Sequence, residues 1–267
     1  MSTQLKVAID AGHGPDTPGK RCPDDSMREF QFNSVVARYV RDGLSDYIGV
    51  ETIFTHADDG SRDVPLKERT DKANAWKADV LVSIHANAYG SDWNDAQGIE
   101  TYVYTTRPAE AAKLAEAVQR NLLLETGRKN RGVKADNLHM LRESNMTAIL
   151  VECGFMTNRD EARLLKDDDY RRKCAMGIVA GIVEVYGLKK KAPNPTSTPM
   201  QPVYGGKFKD VPDDHYAKGA TERLAAKGII NGMADDLFGF GRSITREDVA
   251  VMVDRAVTYL EQKISQN

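Results

Sequence analysis

A chain of 267 residues, 41% of them hydrophobic, is long enough for one large domain plus a small one, or for two of middling size. Its 37 basic and 39 acidic residues leave a formal charge of -2, so no overall field favours nucleic acid or an anionic membrane surface. The three cysteines, Cys22, Cys153 and Cys174, lie far apart with no Cys-x-x-Cys pair, which argues against a disulfide scaffold or an all-cysteine zinc site and fits synthesis in a cytosol.

Leu5-Lys6-Val7-Ala8-Ile9 is expected to enter a strand almost at once, so no signal peptide is expected. No stretch approaches the ~20 apolar residues of a membrane-spanning helix. A protein of this kind that acts outside the cell is expected to be released by another agent. Apolar runs predict strands at Lys6–Ala11, Val50–Thr55, Asp79–His85, Gly98–Thr105 and Thr147–Glu152. Between them, Phe32, Val36, Tyr39, Val40, Gly43 and Tyr47 share one helical face, as do Ala111, Leu114, Ala115, Val118 and Leu122. A third helix carries Cys174, Ile178, Gly181, Ile182 and Val185 and ends near Gly187. This alternation predicts an α/β domain over residues 1–188, a twisted, mostly parallel or mixed sheet flanked by helices.

From Lys189 to Pro202 the composition turns to lysine, proline, serine and threonine without apolar periodicity, so residues 189–206 are read as a linker. Proline extends it at about 3.1 Å per residue, enough to hold two domains up to roughly 40 Å apart. Residues 207–267 are expected to form a small all-α domain, with a helix around His215–Lys227, a turn and loop from Gly228 to Arg242, and a helix from Thr245 to about Gln262. Thr245 with Asp248 reads as a capping-box-like start.

Among the five histidines, His13 and His85 stand where apolar strands run out into Gly/Ala/Asn-rich turns, in Asp10-Ala11-Gly12-His13-Gly14 and Ser83-Ile84-His85-Ala86-Asn87. Imidazole pairs suit zinc, whose catalytic sites take a third protein ligand and leave a position open. Two carboxylates qualify as partners. Glu29 opens the first helix, where a plain helix-start acid is the competing role. Glu152 ends the apolar run Ala148-Ile149-Leu150-Val151, where a carboxylate is costly unless paired or used.

Together His13, Glu29, His85 and Glu152 resemble the zinc-dependent N-acetylmuramoyl-L-alanine amidases of the amidase-3 family. The resemblance runs through Asp-Ala-Gly-His-Gly, Glu29 with Asn33, Leu66 to Arg69 before Ala73-Asn74, Ala78-Asp79 leading into Ser-Ile-His-Ala-Asn, and Leu-Val-Glu-Cys-Gly-Phe-Met-Thr-Asn. It implies that His13, Glu29 and His85 bind one Zn²⁺ and that Glu152 acts as general base, then acid, on the amide joining the lactyl group of N-acetylmuramic acid to L-alanine. Asn87 and His139 are the candidate substrate contacts. A cysteine-nucleophile hydrolase built on Cys153 is the rival, but neighbouring strand residues face opposite ways, so Glu152 and Cys153 cannot share a site on a regular strand.

Phe208-Lys-Asp210-Val, Gly228-Ile-Ile-Asn-Gly232 and Ile244-Thr-Arg246-Glu-Asp248 are similar to one S-layer homology (SLH) repeat. That implies attachment to a secondary polysaccharide of a Gram-positive wall, with Asp210 and Arg246 as the contacts. Thr-Arg-Glu-Asp replaces the family's usual Thr-Arg-Ala-Glu, Asp236 stands where glycine is expected, and Phe240 stands where proline is common. The family works in threes, and one repeat is present, so the domain either trimerises or binds weakly as a monomer. The expectation for the whole chain is a peptidoglycan-cleaving phage or prophage endolysin. A host autolysin, a zinc peptidase cutting within the stem peptide and a non-catalytic wall-binding protein are the alternatives.

Overall fold

The computed structural model describes residues 4–191 and, toward the C-terminus, 208, 210–211, 218–233, 237–239 and 244–264. Two compact units divide the chain, residues 1–191 and 192–267. The first contains strands β1 (Leu5–Ala11), β2 (Val50–Phe54), β3 (Val80–Asn87), β4 (Ile99–Val103), β5 (Asn130–Ala135) and β6 (Thr147–Phe155). Its helices are α1 (Glu29–Leu44), α2 (Leu66–Ala75), α3 (Ala109–Thr126), α4 (His139–Arg142), α5 (Arg159–Lys166) and α6 (Asp168–Tyr186).

One six-stranded sheet runs in the order β2-β1-β3-β6-β4-β5. β2, β1, β3 and β6 are mutually parallel; β4 runs antiparallel to β6, and β5 follows β4 in parallel. The sheet is therefore mixed. β1, β3 and β6 are apolar almost throughout because helices cover both faces. On one face Val7, Ile9, Val80, Val82, Ile84, Ile149 and Val151 pack with Phe32, Val36, Leu114, Val118, Ile178 and Ile182 of α1, α3 and α6. On the other, Ala8, Leu81, Ala148 and Leu150 meet Ala73 of α2 and Met140 and Leu141 of α4.

The smaller covering layer decides where chemistry can occur. Strand residues alternate faces, so Asp10, Ser83, His85, Glu152 and Glu100 continue the face that α2 and α4 cover. Between β1 and β3 the winding reverses direction, and open α/β sheets bind ligands in the crevice at such a switch point.

All five expected strands are present, with no end shifted by more than three residues. β5 was not foreseen, because Asn-Arg-Gly-Val-Lys-Ala carries no apolar run, and α2, α4 and α5 were not foreseen as helices. The first unit extends past the expected boundary at 188: Lys189 O accepts from Ile48 N at 2.9 Å and Lys191 N donates to Asp46 O at 2.7 Å. The rest of the linker, residues 192–206, lies outside the described residues.

In the second unit the described helices are α7 (Lys218–Ala226) and α8 (Arg246–Ile264). Thr245 caps α8 as expected: its Oγ1 accepts from Asp248 N at 3.0 Å and donates to Asp248 Oδ2 at 2.8 Å. Phe208, Val211, Ala225, Ile229 and Ile230 form a small core with Phe238, Met252, Ala256 and Tyr259. Among the described residues, no helix is long and apolar enough to cross a membrane.

Candidate metal centre

β1 delivers His13 by giving way, after Ala11, to Gly12 and a left-handed residue; His13 itself has φ 64°. A non-glycine residue there is uncommon, and such strain gathers at functional sites. β3 delivers His85, and the first turn of α1 delivers Glu29, where the helix dipole favours an acid. His13 Nε2 lies 3.2 Å from Glu29 Oε2, and His85 Nδ1 lies 3.0 Å from Glu29 Oε1. Ligand atoms of the three residues lie within 4.8 Å of one another. Tetrahedral zinc with bonds near 2.0–2.1 Å spaces its ligand atoms about 3.3 Å apart. The side chains fit that spacing.

A further layer orients each ligand. Asp10 is held by Arg69, by Thr55 Oγ1 and by Ser83 Oγ, the last donating to Asp10 Oδ2 at 2.7 Å. Because the Ser83 hydroxyl has a single proton and gives it to a carboxylate, it accepts from His85 Nε2 across 3.1 Å. His85 Nδ1 is thereby left with its lone pair toward the Glu29 oxygen. Two lone pairs facing each other at 3.0 Å require a proton or a cation between them. Asn33, one turn beyond Glu29, donates to Gly12 O at 3.0 Å and to Glu29 Oε1 at 3.2 Å, and Ala86 N also donates to Glu29 Oε1. Such outer partners fix tautomer and orientation in metal sites.

Arg69 ties this layer together. It is 1% exposed and donates to Asp10 Oδ1, Ala11 O, His13 O and Val64 O at 2.6–2.9 Å. The turn that carries His13 is thus bolted to α2.

Glu152 stands beside the cluster, in register with His85 on β3 and with Glu100 on β4. The residue is half-buried, and its Oε2 is shielded from solvent without a hydrogen-bond partner. Burial pushes its carboxyl up to about 8; His85 pulls it down, and Glu29 and Glu100 push it further up. Burial also pushes His13 down to about 4 against the pull of Glu29, which keeps the imidazole neutral as a metal ligand requires. For His85, burial alone would lower the value, but Glu29 outweighs it and the result is raised.

The structure brings His13, Glu29, His85 and Glu152 together, with Glu152 in register beside His85. Cys153 points the other way and is fully buried in the core, so it is no nucleophile. Asn87 lies on the same β3 edge, its Nδ2 donating to Glu100 Oε1 at 2.7 Å. His139 opens α4, half-buried, with Nε2 3.3 Å from Thr70 Oγ1 of α2. His56 is structural, its Nδ1 accepting from Ala11 N at 3.1 Å. Asp210 receives the backbone N–H groups of Phe238 and Gly239, both at 2.7 Å. The Arg246 side chain and His215 lie outside the described residues. Asp10, Arg69, Ser83 and Glu100 were not singled out from sequence as functional. For Asp10, Ser83 and Glu100 the signal is a polar residue inside a largely apolar strand, as in Ile9-Asp10-Ala11, Val82-Ser83-Ile84 and Ile99-Glu100; Arg69, on α2, carries no such signal.

The close approach of β1 to His85 supplies a test. A Cβ on Gly12 would fall 2.0 Å from His85 Cε1. Gly12→Ala is expected to displace the ring and weaken zinc binding roughly 10- to 100-fold, as lost second-layer support does. Competition with a chromophoric chelator reads this, and unchanged affinity would contradict the assigned geometry.

Fold and site define the class: an α/β domain pairing a His–Glu–His cluster able to hold a metal with a recessed carboxylate at the switch point of its sheet. Residues 7–184 match the model of the N-acetylmuramoyl-L-alanine amidase family, Amidase_3, and residues 207–250 match the S-layer homology domain. The amidase CwlM of Bacillus licheniformis is 32% identical over 189 residues, 70% of this chain and 71% of that protein. The endolysin of Bacillus phage SPP1 is 34% identical over 192 residues, 70% of this chain and 68% of that protein. The crystal structure of an N-acetylmuramoyl-L-alanine amidase from Clostridium difficile 630 superposes with a TM-score of 0.66 at 34% identity, covering 70% of this chain and 98% of that one. The catalytic domain of CwlV from Bacillus (Paenibacillus) polymyxa gives 0.64 at 34% identity, covering 70% and 100%. The chain belongs to the N-acetylmuramoyl-L-alanine amidase family, the peptidoglycan amidases, and carries an S-layer homology domain in its C-terminal part.

Proposed function

We propose that the first unit is a zinc-dependent enzyme that cleaves the bond between N-acetylmuramic acid and the L-alanine of the stem peptide, and that the chain acts as an endolysin on Gram-positive walls. The observation that carries the reading is the His13–Glu29–His85 cluster beside the unpartnered Glu152 oxygen. Bound by those three residues, zinc supplies Lewis acidity toward the scissile carbonyl and makes water a better acid. Glu152 takes a proton from the attacking water as the carbon–oxygen bond forms. It returns that proton to the alanine nitrogen as the carbon–nitrogen bond breaks, serving as base and then as acid. His85 holds its lone pair toward the cluster because Ser83, whose own proton goes to Asp10, accepts from its other nitrogen. Asn87 and His139 are proposed to line the groove on either side.

The endolysin role is supported by likeness to the phage SPP1 protein together with the wall-binding type of the C-terminal match. Release from the producing cell would then precede action at the wall. For polysaccharide contact through Asp210 and Arg246 the support is the domain match alone. For assembly into a trimer it is the row Val249, Val253, Val257 and Leu260 on α8, 41–57% exposed. Light scattering checks the trimer, and a monomeric intact chain would remove it.

Digestion of purified peptidoglycan tests the activity. New lactyl carboxyl groups and new amino-terminal L-alanine are expected, lost on chelation and restored by zinc. Ends appearing within the stem peptide would instead indicate a peptidase, and full activity after exhaustive chelation would sink the zinc assignment.

A further inference from the structure

The metal cluster occupies β1 and β3, Glu152 lies next on β6, and beyond it the same face carries Glu100 on β4. Glu100 is 3% exposed, yet its Oε2 receives both Arg131 Nε and Lys134 Nζ from β5. Its Oε1 accepts from Asn87 Nδ2 at 2.7 Å and from the Tyr102 hydroxyl at 2.8 Å. One carboxylate therefore holds two cations, leaving a net positive charge on the β4–β5 side of Glu152.

That arrangement needs a departure from regular strand geometry. Residues 131 and 134 are an odd number apart and would face opposite sides of a regular strand. β5 carries an extra residue here: Ile99 pairs with Asn130 but Thr101 pairs with Val133. Gly132 supplies the bulge with φ 82°, and bulges re-aim side chains beside active sites. As a result Arg131 and Lys134 converge on one carboxylate.

Neutralising Glu100 would need only one cation. Both cationic side chains keep solvent access, 30% for Arg131 and 38% for Lys134. The Arg131 guanidinium is stacked 4.7 Å over the Phe155 ring and bonded through Nε, and its terminal nitrogens make no hydrogen bond among the described residues. A guanidinium held through Nε and against an aromatic ring, with its terminal fork free, is built to receive a carboxylate.

Position identifies which one. In the proposed reaction Glu152 returns the proton to the leaving nitrogen, so the departing peptide extends from Glu152 away from the metal cluster, toward β4 and β5. Strands are ~4.8 Å apart, which places β5 ~10 Å from β6. At ~3.5 Å per residue, a carboxyl on the residue after alanine lies ~7 Å from the scissile nitrogen, within reach of both side chains. We propose that Arg131 and Lys134, anchored on Glu100, form a carboxylate-binding subsite on the leaving-peptide side that selects stem peptides with a free carboxylate on their second residue over those in which it is amidated. The inference rests on the amidase reading above.

The test compares N-acetylmuramoyl-L-alanyl-γ-D-glutamyl-L-lysine with the same compound amidated at the glutamyl α-carboxyl, so that the γ-carboxyl is blocked by lysine in both, using the full chain loaded with zinc. The parent is expected to favour the free acid at least about tenfold in kcat/KM, chiefly through KM, the range of one charged hydrogen bond. Arg131→Gln with Lys134→Gln should erase the preference by losing the acid alone, and Arg131→Lys should restore part of it. Equal turnover of both compounds by the parent, or an equal loss on both in the double variant, would overturn the subsite and leave the amidase reading intact. Turnover of neither compound by the parent would count against the amidase reading itself.

Discussion

Replacing Glu152 with glutamine is expected to abolish peptidoglycan hydrolysis while zinc remains bound. Glutamine keeps the shape but neither accepts nor returns a proton, and a positioned acid–base group contributes roughly 10²- to 10⁴-fold. Zinc content should be unchanged, because His13, Glu29 and His85 form the cluster without it. The same change is expected to leave thermal stability equal or higher. Glu152 Oε2 is shielded without a partner and its carboxyl is raised to about 8. A carboxyl raised on folding costs stability once the pH exceeds its ordinary value, because the unfolded chain ionises first. Removing the charge removes that cost, the usual relation between an active-site group and the fold that holds it. Melting curves at pH 7 on chelator-treated protein check this part, and dye-release from labelled cell walls checks the first. Retained hydrolysis, or loss of zinc, would defeat the assignment.

Arg69→Leu is expected to be the most damaging single change remote from the reacting atoms. It would leave Asp10 buried with only hydroxyl partners and strip donors from the carbonyls of Ala11, His13 and Val64. Removing one partner of a buried ion pair costs about 3–5 kcal/mol. In a domain of this size each kcal/mol lowers Tm by about 2–4 °C, so a fall of roughly 10 °C is expected by calorimetry. Zinc affinity should fall with it, since the His13 turn loses its anchor. Arg69→Lys should not rescue, because an ammonium cannot span carbonyls and a carboxylate as a planar fork does. Pairing Arg69→Met with Asp10→Leu should recover the part of the stability lost to the orphaned charge but not zinc, which separates that cost from the role in orienting ligands.

The same pair sets an acid limit. Burial alone would raise the Asp10 carboxyl, but the Arg69 guanidinium and the Thr55 and Ser83 hydroxyls outweigh it and hold it below the ordinary value. Its folded value therefore lies below its unfolded one. Its contribution is complete above the unfolded value and is lost as the pH falls through the folded value. The Tm gap between parent and Arg69→Leu should narrow in acid and stay constant above neutrality. A gap that widened in acid would contradict the pairing.

Much of the site was legible in the chain because its groups sit where one-dimensional patterns change. His13 and His85 follow apolar runs that can only be buried strands, and Glu152 terminates a third. Glu29 was harder to assign, since an acid in the first turn of a helix also serves the helix itself. The orientation of Cys153 followed from strand alternation alone, and the core it enters agrees. β5 stayed hidden: its pattern is broken by a bulge and by Arg131 and Lys134, whose counter-charge is on another strand.

The sequence by itself determined five of the six strands and the long helices α1, α3, α6 and α8, and its resemblance to the amidase-3 family pointed to the residues that could bind a metal and move a proton. The strands and helices depend on local periodicity, and the candidate residues stand out because they end apolar runs or would be buried without a partner. Only the tertiary structure decided how the metal ligands are aimed. Asp10 meets Ser83 across 73 residues and Arg69 across 59, and both contacts exist because β1 lies between β2 and β3 with α2 folded over its end. The cationic pair on Glu100 likewise requires β4 to run against β6 and β5 to bulge beside it. Burial is written in the spacing of residues along the chain, whereas partnership between distant polar groups is set by strand order and register.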